Sequence, residues 1–295
     1  MSIFLESSKG GQQKRFLLPL GVFVAILLAL GFLSKLSEKP KLGLLEVQGV
    51  ILDSKITLSQ IAFLSKEEKI KGVLVRVNSP GGAVAPSQEI YEALKKLAKL
   101  KPVYVSMGSI AASGGFYISL AGSKVYANPG TLTGSIGVIL EAPNASVLLD
   151  KLGLSVQVVK SGKNKDIGSA YRAMKPEERK LLQSVIMDTY EQFIQAILDS
   201  RNIKEADLRA IADGRIFTGR QAQQLGLLDQ LGGYNDVLAQ LKTDLHLKGE
   251  VEVVAAPKPE LGFIASLQNE AASKITSLFS PVQGLMYLSP LLTSH

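Results

Sequence analysis

From residue 42 to residue 162 the chain alternates short, β-branched apolar runs with segments of helical spacing, and this alternation limits the fold more than any other feature. "LGLLEVQGVI" (42–51), "GVLVRVNS" (72–79), "PVYVSMG" (102–108), "KVYANP" (124–129), "GSIGVI" (134–139) and "SVQVVKSG" (155–162) read as strands. Between them lie "APSQEIYEALKKLAKL" (85–100), with Ile90, Leu94 and Leu97 at helical spacing, "SGGFYISLAG" (113–122), and "NASVLLDKLG" (144–153), which stops on Gly153. Strands separated by helices cannot close as hairpins and pair in parallel, so the pattern predicts an α/β domain. Beyond it the pattern turns helical. Residues 175–202 predict one long amphipathic helix with Leu182, Ile186, Tyr190, Phe193 and Ile197 on one stripe, for the core or for a subunit contact. Shorter helices follow at 204–212 and 218–225, and no internal repeat of useful length is present.

Two strand-to-helix turns in this frame are built from small residues. In "SMGSIAASGGFYIS" (106–119), nine of fourteen residues are Ser, Gly or Ala, in a chain with ample Leu, Ile and Val for a core. Ser113 sits at the transition in an A-x-S-x-G pattern that is similar to a nucleophile elbow, where bulky neighbours would crowd the exposed hydroxyl. The helix that begins there turns free N–H groups back toward the serine, as oxyanion donors must be turned. "NSPGG" (78–82) is the second turn; Gly81 and Gly82 allow close backbone approach to a ligand. Turns at the ends of parallel strands flank the crevice where α/β sheets bind ligands. A small-residue packing turn is the plainer reading of either one alone.

A serine nucleophile requires a base. There is no cysteine, and the two histidines, His246 and His295, lie far from either turn. A histidine-based metal site and a histidine-centred triad are thereby disfavoured. Lysine serves as the base in Ser-Lys variants of the triad, and "VVKSGKNKDIGSA" (158–170) carries Lys160, Lys163 and Lys165. Spacing does not choose among them. A phosphate-binding loop is excluded, because Lys163 is followed by Asn164 and the required glycine position holds Gln157. The net charge of +7 is spread out, without a Lys/Arg block interleaved with aromatics, so no nucleic-acid partner is expected.

At the N-terminus, 1–15 is short and basic, and "FLLPLGVFVAILLALGFL" (16–33) is 18 residues without a charge. As a helix it would be about 27 Å long at roughly 1.5 Å per residue, close to the ~30 Å hydrocarbon core of a bilayer. It reads as an uncleaved transmembrane anchor, since "ALG" (29–31) makes a poor signal-peptidase site. Lysines flank both ends, so charge hardly decides orientation; a short basic N-terminus before a large domain favours the domain outside the cytoplasm. Residues 34–42 form a polar linker, and 257–295 a tail with an apolar stripe (Ile264, Leu267, Ala271, Ile275, Leu278) ending in "LMYLSPLL", which resembles something such an enzyme binds or trims.

Taken together, "NSPGG", "SIAASGGFYIS", "TLTGSIGVI", "KSGKNKDIGS" and "ADGRIFTGRQAQQLGLLDQLGG" resemble the signal peptide peptidases of the SppA type, over about residues 43–254. The resemblance implies a Clp/crotonase fold of repeated ββα units in a protease domain spanning 43–256. It implies Ser113 as nucleophile, Lys165 as general base, Ser135 as the hydroxyl that orients the lysine, and Gly82 and Gly114 as the oxyanion hole. It implies a membrane-anchored serine endopeptidase, with its catalytic domain on the extracytoplasmic side, that cuts apolar peptides such as remnant signal peptides. Neither cofactor nor metal is implied. Short single-domain members resemble ring-forming homo-oligomers in which serine and lysine meet across a subunit boundary. Where relatives carry "SP" after the lysine, this chain has Ser169-Ala170. A related membrane protease with a dedicated protein substrate, or a scaffold that has lost catalysis, are the alternative readings.

Overall fold

The computed structural model describes residues 39–257 and the backbone of 286–288. The expected anchor at 16–33, most of the expected linker, the tail stripe at 264–278 and His295 lie outside the described residues. No helix among the described residues is long and apolar enough to cross a membrane.

The architecture is mixed α/β with a sheet rich in parallel pairs. Its central strands are β1 (Lys41–Gln48), β2 (Ile70–Ser79) and β4 (Val103–Ala112). β1 pairs in parallel with β2, Leu44 opposite Leu74, and β2 with β4, Val75 opposite Val105. Val73, Leu74, Val75 and Val77 are all fully buried, as expected for a strand covered on both faces. On one face Val73, Val75 and Val77 join Ile90, Leu94 and Leu97 of helix α2 (Val84–Ala98) in the main core. On the other, Leu42, Leu74, Tyr104 and Tyr126 pack beneath Val237 and Leu241 of helix α8 (Tyr234–Asp244).

β4 is longer than β5 and β6, the two strands on its far side, and forks between them. Residues 104–106 pair in parallel with β5 (Lys124–Ala127), and residues 110–112 with β6 (Leu132–Gly134). β6 in turn pairs antiparallel with β7 (Ile216–Thr218). Past the fork, β4 runs straight into helix α3 (Gly114–Ser119), every residue of which is buried. β3 (Gly81–Ala83) follows β2 directly and leads into α2.

Two expected strands are corrected. The strand-like run at 134–139 ends at Gly134, because Ser135 adopts a left-handed φ of 51° that breaks an extended chain. The run at 155–162 forms no strand. No neighbouring strand among the described residues offers it hydrogen bonds, and Val156, Val158 and Val159 are exposed. Helix α5 (Pro176–Ser200) bears out the long amphipathic helix, with a split role for its stripe. Phe193 and Ile197 are buried, whereas Leu182 and Ile186 are only partly covered and Leu181, Val185 and Met187 are exposed.

Phe193 joins this helix to the rest. Its ring packs edge-on against Tyr117, centroids 5.0 Å apart, and lies 6.3 Å from Phe116, both on α3. Phe193→Ala would empty this junction, and a loss of about 3–5 kcal/mol is expected for a fully buried Phe. Denaturant unfolding of the two proteins checks it; a difference under about 1 kcal/mol would mean that the junction re-packs.

Candidate active site

Ser113 occupies a strained turn that its neighbours enforce. Its φ of 53° and ψ of −117° lie where an L-residue is rarely found. Its N–H donates to the Gly134 carbonyl at 2.8 Å, and its own carbonyl accepts from the Tyr117 N–H at 2.8 Å. The strand end on one side and the first turn of α3 on the other thus fix the backbone of one residue. The side chain is 1% exposed, and its Oγ has no hydrogen-bond partner among the described residues. A buried hydroxyl left unpaired is costly, and such groups concentrate where chemistry requires them.

Register carries Ser135 to the same place. Ala112 pairs with Gly134, so the next residues on the two chains, Ser113 and Ser135, stand side by side. Ser135 has the same left-handed φ and is held by its N–H donating to the Arg215 carbonyl at 2.8 Å. Beside it a cavity of about 450 Å³ opens between Ile136, Val138, Ile186, Met187 and Tyr190.

The two glycines meet as well. A Cβ on Gly114 would lie 3.2 Å from the Gly82 nitrogen and 2.6 Å from the Ser87 hydroxyl, so only glycine lets these backbones approach. At Gly82 a Cβ would come within 2.0 Å of the Ile51 carbonyl oxygen. Ile51 donates to the Gly81 carbonyl at 2.8 Å and accepts from the Ala83 N–H at 2.7 Å. Because successive peptide groups alternate in direction, the Gly82 N–H points away from Ile51. On that side runs β10 (Met286–Leu288), antiparallel to β3 with Tyr287 opposite Gly82. Residues 286–288 of the tail therefore lie along the glycine turn, a pairing that local spacing could not reveal.

Lys165 lies on a segment of a different kind. Between Ile136 and Glu178 no residue is buried, and the chain runs through this arm as short turns and the helix α4 (Ser146–Lys151). Lys165 is exposed in a turn closed by its N–H donating to the Gly162 carbonyl at 3.1 Å; its amine forms no hydrogen bond or ion pair among the described residues. The next residue, Asp166, is tightly held. Lys160 Nζ donates to Oδ1, and Arg172 Nε to Oδ2 at 2.9 Å. Arg172 also forks onto Glu178 in the first turn of α5, at 2.8 and 2.6 Å. Arg172 first, then Lys160, hold the Asp166 carboxyl well below the usual carboxylate range. Glu178 is held down to about 2 by Arg172 and by the Lys175 N–H.

Comparison with known proteins agrees with this frame. Residues 95–248 match the family model for peptidase family S49, and 47–133 match that for Clp protease. A Synechocystis protein assigned as a protease is 44% identical over 233 residues, 76% of this chain and 83% of that protein. The chain belongs to peptidase family S49. An Enterococcus faecium protein assigned as a signal peptide peptidase SppA is 36% identical over 244 residues, 78% of this chain and 71% of the other. The chloroplastic serine protease SPPA of Arabidopsis thaliana is 29% identical over 266 residues, 89% of this chain and 38% of that protein.

As a member of the S49 family the protein is a serine peptidase. Ser113, Ser135, Gly82 and Gly114 lie at the ends of neighbouring strands, and the Ser113 Oγ has no bond to the exposed Lys165. The tail strand and the Arg172 clamp had no sequence signal beyond an unusual apolar end and a run of alternating charge. Glu178 titrates far below the 4.5 of an ordinary glutamate, so the clamp's stabilisation is complete above about 4.5 and lost as pH falls from there toward 2. Amide exchange across 164–178, corrected for intrinsic rates, should lose protection over that range. Protection unchanged at pH 2 would show that the arm does not depend on this pair.

Proposed function

We propose that the protein is a membrane-anchored serine endopeptidase that hydrolyses apolar peptides, remnant signal peptides among them, with Ser113 as nucleophile and Lys165 as general base. The single observation that carries the reading is the Ser113 turn: a buried, unpaired hydroxyl in a strained backbone beside the Gly82 and Gly114 peptide groups. The neutral Lys165 amine takes the Ser113 proton as Oγ attacks the scissile carbonyl. The Gly82 and Gly114 N–H groups hold the developing oxyanion, where losing one donor costs roughly 3–4 kcal/mol. Lys165 then protonates the leaving amine, and water releases the acyl group. Ser135 orients the lysine. The chemistry calls for no cofactor.

The tail strand supports an extended substrate. A peptide entering as 286–288 does, antiparallel to β3, brings a carbonyl to the outward Gly82 N–H, with main-chain pairing supplying affinity. The exposure of Lys165, on an arm without buried residues, supports a lysine delivered to the Ser113 of a neighbouring copy in a ring-shaped homo-oligomer. The exposed valines at 156–159, which lack a partner strand among the described residues, fit the same assembly. The fold is read as Clp/crotonase-type ββα units, and the apolar run at 16–33 as the anchor that places the domain on the extracytoplasmic side.

Detergent-solubilised full-length protein should cleave a quenched apolar peptide, and Ser113→Ala and Lys165→Ala should each remove that activity. Cleavage retained in either variant would rule out the dyad. Mixed and reassembled, the two inactive variants should regain part of the activity. No recovery, under conditions where labelled subunits demonstrably exchange, would place both residues in one subunit.

A further inference from the structure

The arm that carries Lys165 has almost nothing apolar to hold it. From Gly137 to Glu177 no side chain is buried, and the first buried residue after Ile136 is Glu178, a carboxylate 2% exposed. The turns around the lysine are local: Lys165 N–H to Gly162 O, Ile167 N–H to Asn164 O and Ser169 N–H to Asp166 O, each at 3.1 Å. Such turns shape a loop without fixing where it sits. The Ala145 N–H donates to the Ala170 carbonyl at 2.7 Å within the arm, but the contact that ties the loop to α5 is Arg172, which reaches the Asp166 carboxylate with Nε and the Asp166 carbonyl with Nη2 at 3.3 Å, while its other edge grips both oxygens of Glu178. Glu178 is itself fixed, its Oε2 accepting from the Lys175 N–H at 3.0 Å at the start of α5. Through Phe193 that helix packs on α3, the helix that begins after Ser113.

The same contact governs charge. A free aspartate beside Lys165 would favour its ammonium form, and a general base must be neutral. Both Asp166 oxygens are taken, one by Lys160 and one by Arg172, leaving neither to the lysine next in sequence. A planar fork suits this bridge between two carboxylates better than a single ammonium would.

We propose that Arg172 is a positioning residue for the general base: by bridging Asp166 to Glu178 it fixes the turn that presents Lys165 and keeps the Asp166 carboxylate away from its amine. The inference rests on Lys165 as the base, as proposed above. Misplacement of a catalytic group by about 1 Å can cost on the order of 100-fold in rate. In full-length protein, Arg172→Met should therefore lower kcat by roughly 10- to 100-fold while KM stays within about 3-fold. Arg172→Lys, which keeps the charge without the fork, should fall between it and the wild type. A merely structural role would appear as a loss of folded protein, with kcat per folded molecule unchanged.

If Arg172→Met does not fold, Glu178→Gln, which keeps the shape and one acceptor, should show the same kcat loss in smaller measure. A folded Arg172→Met or Glu178→Gln protein with wild-type kcat, or with its whole loss in KM, would overturn the clamp while an inactive Lys165→Ala protein leaves the base in place. An active Lys165→Ala protein would overturn both.

Discussion

Everything in this active site depends on one hydrogen bond, from the Ser113 N–H to the Gly134 carbonyl. It terminates the parallel pairing of β4 with β6 and forces Ser113 out of the extended conformation at the moment that α3 begins. Ser135, one residue further on the partner strand, is bent in the same sense by Arg215. Two left-handed serines side by side are not a local preference of either segment. They are what remains when two strands end in register against a helix that cannot shift, since every residue of α3 is buried.

The glycine turn obeys a related constraint. Ile51 occupies one edge of β3 so closely that Gly82 has no room for a side chain, and this leaves the opposite edge free for another strand. The segment 286–288 takes that edge. The same edge lies beside Ser113, whose hydroxyl has no hydrogen-bond partner among the described residues. The tight fit of Gly114 against Gly82 serves the same end, because it brings the two peptide groups together at the turn.

The arm bearing Lys165 is built on the opposite principle. The core around Ser113 is dense and apolar, whereas residues 137–177 add no buried side chain to it, Val138 alone packing partly against its edge. Their placement rests on ionic contacts among Lys160, Asp166, Arg172 and Glu178, which direct without enclosing. An element of this kind can present a lysine outward, away from its own serine. Its sensitivity to acid differs accordingly from that of the rest of the domain.

The α/β class, the long helix and the two small-residue turns were legible in sequence because they follow from local periodicity and from steric demands on single residues. The family resemblance selected Lys165 among three lysines that spacing left equal. Sequence could not place 155–162, whose alternation suits a strand but which has no strand beside it among the described residues. Nor could it end the run at Gly134, since the bend at Ser135 is imposed by Arg215, eighty residues away. The amino-acid sequence by itself determined which residues can make a tight turn and which can carry chemistry. Only the tertiary structure decided which of them meet, because strand register, and not spacing along the chain, brought Ser113 to Ser135 and Gly82 to Gly114, and left Lys165 on a clamp of its own.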